Sequence, residues 1–203
     1  MRRTTAVLAM GVVLMACERR ADVPPAQPME GEAQVAPQPA EPGIAPGAPM
    51  AAGGYAVELI NRDGQPTGGA RIEPEGAGVR ISIRVTNLTP GQEHGLHVHE
   101  TGRCDPPGFE TAGGHFAPAG RQHGFENPQG PHAGDLPNIR ANQEGVADTS
   151  FVTSSVSLTQ GVATSLIRTG GTALMVHAGP DDYRTDPSGN SGDRIACGVI
   201  LGR

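Results

Sequence analysis

Residues 79–85 alternate without a break: Val79, Ile81, Ile83 and Val85 leave one side of the chain, and Arg80, Ser82 and Arg84 leave the other. A period of two with β-branched residues on the apolar side predicts a half-buried antiparallel strand. Shorter runs at 55–60, 94–99, 145–151, 154–158, 173–177 and 195–201 predict further strands. Gly, Pro, Asn and Asp punctuate the intervals, as in Asn61-Arg-Asp-Gly64 and Asn87-Leu-Thr-Pro90. No segment sustains a helical period. The expected fold is all-β: an antiparallel Greek-key sandwich or barrel, immunoglobulin-like, with two long functional loops. Those loops, 100–137 and 178–194, are rich in Gly, Pro, Asp and Asn. Loops so long argue against an assignment unless metals or a crosslink fasten them.

The N-terminal third has a different texture. Met1-Arg2-Arg3 is followed by an apolar stretch over 6–16 that is too short to span a bilayer, which predicts an export signal over 1–16. Leu14-Met15-Ala16-Cys17 resembles the bacterial lipobox, although Met15 is bulkier than that pattern prefers. The expectation is lipid on Cys17 and a periplasmic protein tethered to a bacterial membrane; ordinary secretion without lipid is the alternative. Residues 17–54 are dense in Pro and Ala and hold too little apolar bulk to offset chain entropy, so they predict a disordered tether. Residues 55–203 have the size of one domain with one core.

Net charge is −6, and cleavage before Cys17 removes Arg2 and Arg3 to leave −8. That balance argues against nucleic acid as a partner. There is no lysine, so any cationic guidance must come from arginine. Beyond Cys17 two cysteines remain, Cys104 and Cys197. In an exported chain they favour pairing, with two free buried thiols as the alternative.

All seven histidines fall between His94 and His177. His97 and His99 stand two apart on a predicted strand and leave the same face, and His177 ends another strand with the same Val-His pattern. Three imidazoles on rigid elements favour Cu²⁺ among divalent ions. His115, His123, His132 and Asp135, spaced by 8, 9 and 3 positions, lie on one folded-back loop. Three nitrogens and a carboxylate make a closed tetrahedral set suited to Zn²⁺.

Six motifs then carry a family resemblance: Gly-Leu-His-Val-His-Glu (95–100), Ala-Gly-Gly-His-Phe-Ala-Pro (112–118), His-Ala-Gly-Asp-Leu-Pro-Asn (132–138), Gly-Val-Ala-Asp (145–148), Val-His-Ala-Gly-Pro-Asp-Asp-Tyr (176–183) and Gly-Asn-Ser-Gly-Asp-Arg-Ile-Ala-Cys-Gly-Val-Ile (189–200). From about residue 55 to its end the chain resembles the copper/zinc superoxide dismutases of the bacterial exported type. The resemblance implies dismutation of superoxide, with His97, His99 and His177 as copper ligands and His115 bridging both metals. His123, His132 and Asp135 would complete the zinc site. It implies that Asp181 hydrogen-bonds His97 and His123, that Cys104 and Cys197 form an intrasubunit disulfide, and that Arg194 receives the anionic substrate beside copper. His94 matches a structural histidine. Family members commonly carry lysines at the channel mouth, where this chain offers only arginines such as Arg184 and Arg121. Bacterial relatives occur as monomers and dimers, so a homodimer is compatible with the resemblance. The competing reading is a non-catalytic periplasmic lipoprotein that buffers copper or zinc.

Overall fold

A computed structural model of the chain describes residues 53–200. The expected signal over 1–16, Cys17 and nearly all of the expected tether lie outside the described residues. Among the described residues there are nine strands: β1 (Tyr55–Asn61), β2 (Pro66–Glu75), β3 (Gly78–Val85), β4 (Glu93–His94), β5 (Leu96–His99), β6 (Ile139–Arg140), β7 (Ala147–Thr153), β8 (Thr172–His177) and β9 (Arg194–Ile200). The one helical element among the described residues is a single 3₁₀ turn at Glu110–Ala112.

Seven strands form one antiparallel sheet in the order β5-β8-β9-β1-β2-β3-β7. The remaining two, β4 and β6, pair with each other through His94↔Ile139 and Glu93↔Arg140. Because β4 leads into one edge strand of the large sheet and β6 leads into the other, this short pair ties the two edges together. The sheet curls into a barrel, the closed form of the expected Greek-key architecture.

Alternation decides what fills it. Val57 and Leu59, Ala70 and Ile72, Val79, Ile81, Ile83 and Val85, Leu96 and Val98, and Leu174 and Val176 belong to one buried cluster drawn from strands all around the sheet. On β3 the outward residues carry charge that neighbouring strands match: Arg80 pairs with Glu75 of β2, and Arg84 with Asp148 of β7 at 2.6 Å. β5 and β8 break the rule, for every residue on both is buried. Their second face is covered by the long loops. A smaller cluster of Phe109, Ala112, Ala173, Met175 and Cys197 packs part of the first loop onto β8 and β9. A disulfide between Cys104 and Cys197, with Cα atoms 5.7 Å apart, fastens that cover.

Four sequence expectations shift. The run 94–99 is two strands, because the Gly95 N–H donates to Gly179 O and Gly95 O accepts from the His177 N–H, turning the chain into the second loop. The run 154–158 is no strand; its apolar signal comes from Val156 and Leu158, which drop into the core from a loop that touches Ser165 by one isolated bridge. β2 went unpredicted because Pro66, Gly68, Gly69 and Pro74 are poor strand formers. Gly68 has a local reason: a Cβ there would collide with the Arg84 carbonyl on β3. The second loop also ends one residue earlier than expected, since Arg194 opens β9.

Candidate metal centre

The outer faces of β5 and β8 present His97, His99 and His177, while Leu96, Val98 and Val176 on the same strands hold to the core. Bridges from His97 to Asp135 and from His99 to His115 lay the first loop directly over β5. The sequence-predicted ligands thereby converge. Ligand atoms of His97, His99, His115 and His177 lie within 4.8 Å of one another, as do those of His97, His115, His123 and Asp135.

Hydrogen bonds sort these atoms into two sets. Asp181 is ionised and can only accept, so His97 Nε2 donates to its Oδ2 at 2.8 Å and His123 Nε2 donates to its Oδ1 at 2.9 Å. That commits the Nε2 of both rings and leaves Nδ1 of each for other work. His99 Nδ1 donates to Gly113 O at 2.9 Å and His177 Nδ1 to Gly192 O at 3.1 Å. Five buried ring nitrogens remain without a hydrogen-bond partner among the described residues; His94 Nε2 is outside the cluster, and the other four belong to it: Nδ1 of His97 and Nε2 of His99, His115 and His177. Four buried lone pairs facing one another would be costly unless a cation receives them.

The second set gathers on one oxygen. Nδ1 of His115, His123 and His132 stand 3.1, 3.0 and 3.2 Å from Asp135 Oδ1. Three ring nitrogens on one oxygen exceed what hydrogen bonding needs, whereas a tetrahedral ion about 2 Å from each ligand spaces its donors by roughly this amount. Asp135 Oδ2 meanwhile accepts the backbone N–H groups of Gly124 at 2.9 Å and His132 at 3.0 Å. His132 therefore belongs here in place of His97, whose remaining nitrogen turns to the first set. His115 alone contributes one nitrogen to each.

Charge follows the same division. Burial lowers His97 and takes His99 far below the ordinary histidine value; it lowers His115 to about 4 and His177 to about 3. These rings are neutral at physiological pH and offer lone pairs. Burial also opposes charge on His123, but hydrogen bonds to Asp135 and Asp181 outweigh it and raise His123 to about 9. Burial would raise both carboxyls, yet the histidine hydrogen bonds hold Asp135 and Asp181 well below the carboxylate range.

Arg194 is fixed beside the first set. Its Nη1 donates to Phe109 O at 2.7 Å and its Nη2 to Gly113 O at 2.8 Å. The Gly113 carbonyl thus receives both His99 of the first set and the arginine. Sequence reasoning missed that acceptor, and it missed Gly189, where a Cβ would strike Asp181 Oδ1 and His123 Nε2. His94 stands apart from both sets, its Nδ1 2.8 Å from His177 O. Of the two arginines expected to guide an anion, Arg184 is ion-paired with Glu126 and Arg121 has no ion pair among the described residues.

The chain is similar to known proteins along most of the described residues. The family pattern described as copper/zinc superoxide dismutase matches residues 66–200. Superoxide dismutase [Cu-Zn] 1 of Aquifex aeolicus is 46% identical over 144 residues, covering 71% of this chain and 85% of that protein. The superoxide dismutase-like protein YojM of Bacillus subtilis is 43% identical over 150 residues, covering 73% and 76%. Among solved structures, a double mutant of a SOD-like protein from Bacillus subtilis superposes with a TM-score of 0.71 at 44% identity, covering 72% of this chain and 97% of that one.

Proposed function

The chain belongs to the copper/zinc superoxide dismutase family, and from that premise we propose how its residues divide the work. Its activity is the dismutation of superoxide to O₂ and H₂O₂, with copper and zinc as cofactors. His97, His99, His115 and His177 would hold copper through the four unpartnered nitrogens. His115, His123, His132 and Asp135 would hold zinc. The observation that carries this assignment is the double commitment of His115, with Nδ1 in one set and Nε2 in the other.

When bound, copper supplies the one-electron couple that oxidises one superoxide and reduces the next, and zinc supplies fixed positive charge without redox change. The protein's share is positioning and proton handling. With Nδ1 of His115 held in the zinc set, Nε2 is the one atom of that ring free to alternate between lone pair and N–H. Arg194 has further N–H groups beyond the two spent on Phe109 and Gly113, and these can receive the anion by charge-assisted hydrogen bonds. Its charge also acts on His99 and His177, lowering both. A metal-buffering protein has no use for a guanidinium anchored at such a point, which favours turnover over storage. The test is metal analysis with superoxide consumption: one copper and one zinc per chain with rapid consumption supports the assignment, and bound metal without consumption favours buffering.

The N-terminal reading extends this proposal. Residues 1–16 act as the export signal, Cys17 carries lipid, and 17–54 tether a catalytic domain of 55–203 to a bacterial membrane on the periplasmic side. The short apolar run, the lipobox-like tetrapeptide and the Pro/Ala-rich composition support it. Labelled fatty acid should enter the protein and be lost in Cys17→Ser; label retained by the variant refutes the anchor. A homodimer is the further partner compatible with the family, checked by sedimentation of the metal-loaded protein.

A further inference from the structure

The second loop holds His123 at two points, and only one of them is Asp181. We propose that Asp186 is a positioning residue of the zinc set: its Oδ1 accepts the backbone N–H of His123 at 2.7 Å, fixing where the His123 ring stands. This rests on the assignment of His123 as a zinc ligand.

A ring held at one end still pivots. Asp181 takes the far nitrogen of His123, so by itself it leaves the backbone free to swing Nδ1 away from Asp135. Asp186 closes that freedom from the same loop, five residues further on, by holding the other end of the residue. Asp186 is itself exposed, whereas His123 is fully buried, so the carboxylate reaches inward from the loop surface to a backbone group that belongs to the site. Neighbouring contacts keep the two loops in that register. The Glu126 N–H donates to Tyr183 O at 2.9 Å, the Phe125 and Tyr183 rings lie 5.4 Å apart, and Arg184 pairs with Glu126. None of these touches His123; Asp186 does.

A rival account is that any damage to this loop would loosen zinc. Asp182 separates the two, because its carboxylate serves the loop alone: it accepts the Thr185 hydroxyl at 2.7 Å, the Thr185 N–H at 2.8 Å, the Arg184 N–H at 2.9 Å and the Asn190 side chain at 3.0 Å.

The experiment measures zinc release from the full chain, loaded with both metals, into excess chelator. Asp186→Ala should release zinc about 10- to 100-fold faster, the usual cost of removing an outer partner of a metal ligand. Asp186→Asn keeps a side-chain oxygen acceptor and should stay within about threefold of the parent. Asp182→Ala should also stay near the parent. With Co²⁺ in the zinc set, the visible bands should shift in Asp186→Ala and not in Asp186→Asn, reporting a displaced ligand. Parental release by Asp186→Ala overturns the proposal. So does equal acceleration in Asp182→Ala, which would mean general loosening, or in Asp186→Asn, which would mean charge. Should the zinc assignment itself be wrong, His132→Ala would bind zinc as the parent does, a separate outcome.

Discussion

The proposed copper set and the proposed zinc set sit side by side and share a ring, yet they are built in opposite ways. Three of the four copper-set histidines come from β5 and β8, strands whose other face is core, so their placement follows from the fold. All four zinc-set residues come from a loop with almost no regular structure. Strands position ligands before any ion arrives; a loop must be held by something else. Here the holders are Asp181 and Asp186 of the second loop and a disulfide. The copper set keeps neutral rings and unpaired nitrogens, whereas the zinc set keeps two carboxylates around a protonated His123. In the metal-free chain a proton stands in for part of the zinc charge.

Removing the shared ring should erase the difference at once. His115→Ala takes a ligand from both sets and should cut superoxide consumption by about 1000-fold or more, given that an outer partner alone costs about 10- to 100-fold; copper and zinc content measured alongside should both fall. Breaking the fastener should hurt the loop side first. Cys104→Ser releases a crosslink spanning a sequence separation of 93, worth about 4 to 5 kcal/mol in the chain-entropy model, read as a lowered denaturant midpoint.

Acidity should separate the sets cleanly. Below about pH 9 zinc must displace the His123 proton, so zinc affinity should climb about tenfold per pH unit toward that value. The copper set has His115 at about 4 and His177 at about 3, neutral rings that already offer a lone pair, so copper affinity of the zinc-free chain should be flat from about pH 6 to pH 8. Calorimetry with each ion across that range checks both slopes. The sign extends to the fold: a raised His123 stabilises the metal-free chain below the ordinary histidine value of 6.5, and that contribution fades as pH passes about 9.

The smallest effect belongs to the substrate side. Arg194→Ile leaves every proposed metal ligand in place and should lower kcat/KM by about tenfold at low salt, with a flatter salt dependence. Unchanged stopped-flow kinetics at low ionic strength would remove Arg194 from the anion's path.

The sequence was readable where a residue type carries its own signature. Strict alternation exposed β3, and the spacing of His97 and His99 exposed one face of β5. β2 was hidden because its prolines and glycines are poor strand formers, although Gly68 serves close strand approach. The side chains that the first loop gathers on Asp135 were legible, since histidine and aspartate at short spacings are distinctive. Their supports were illegible. Gly113 and Gly192 act through carbonyls that every residue possesses, and Asp186 acts from across a 63-residue gap on a backbone N–H. Arg184 looked free for steering because sequence alone does not bring Glu126 beside it.

One oxygen atom near the copper set has two tenants, for the Gly113 carbonyl receives both His99 and Arg194. The proposed copper ligand His99 and the proposed anion site Arg194 are therefore surveyed from a common benchmark. A shared acceptor ties the spacing of these two side chains to one backbone atom, in a segment without strand or long helix.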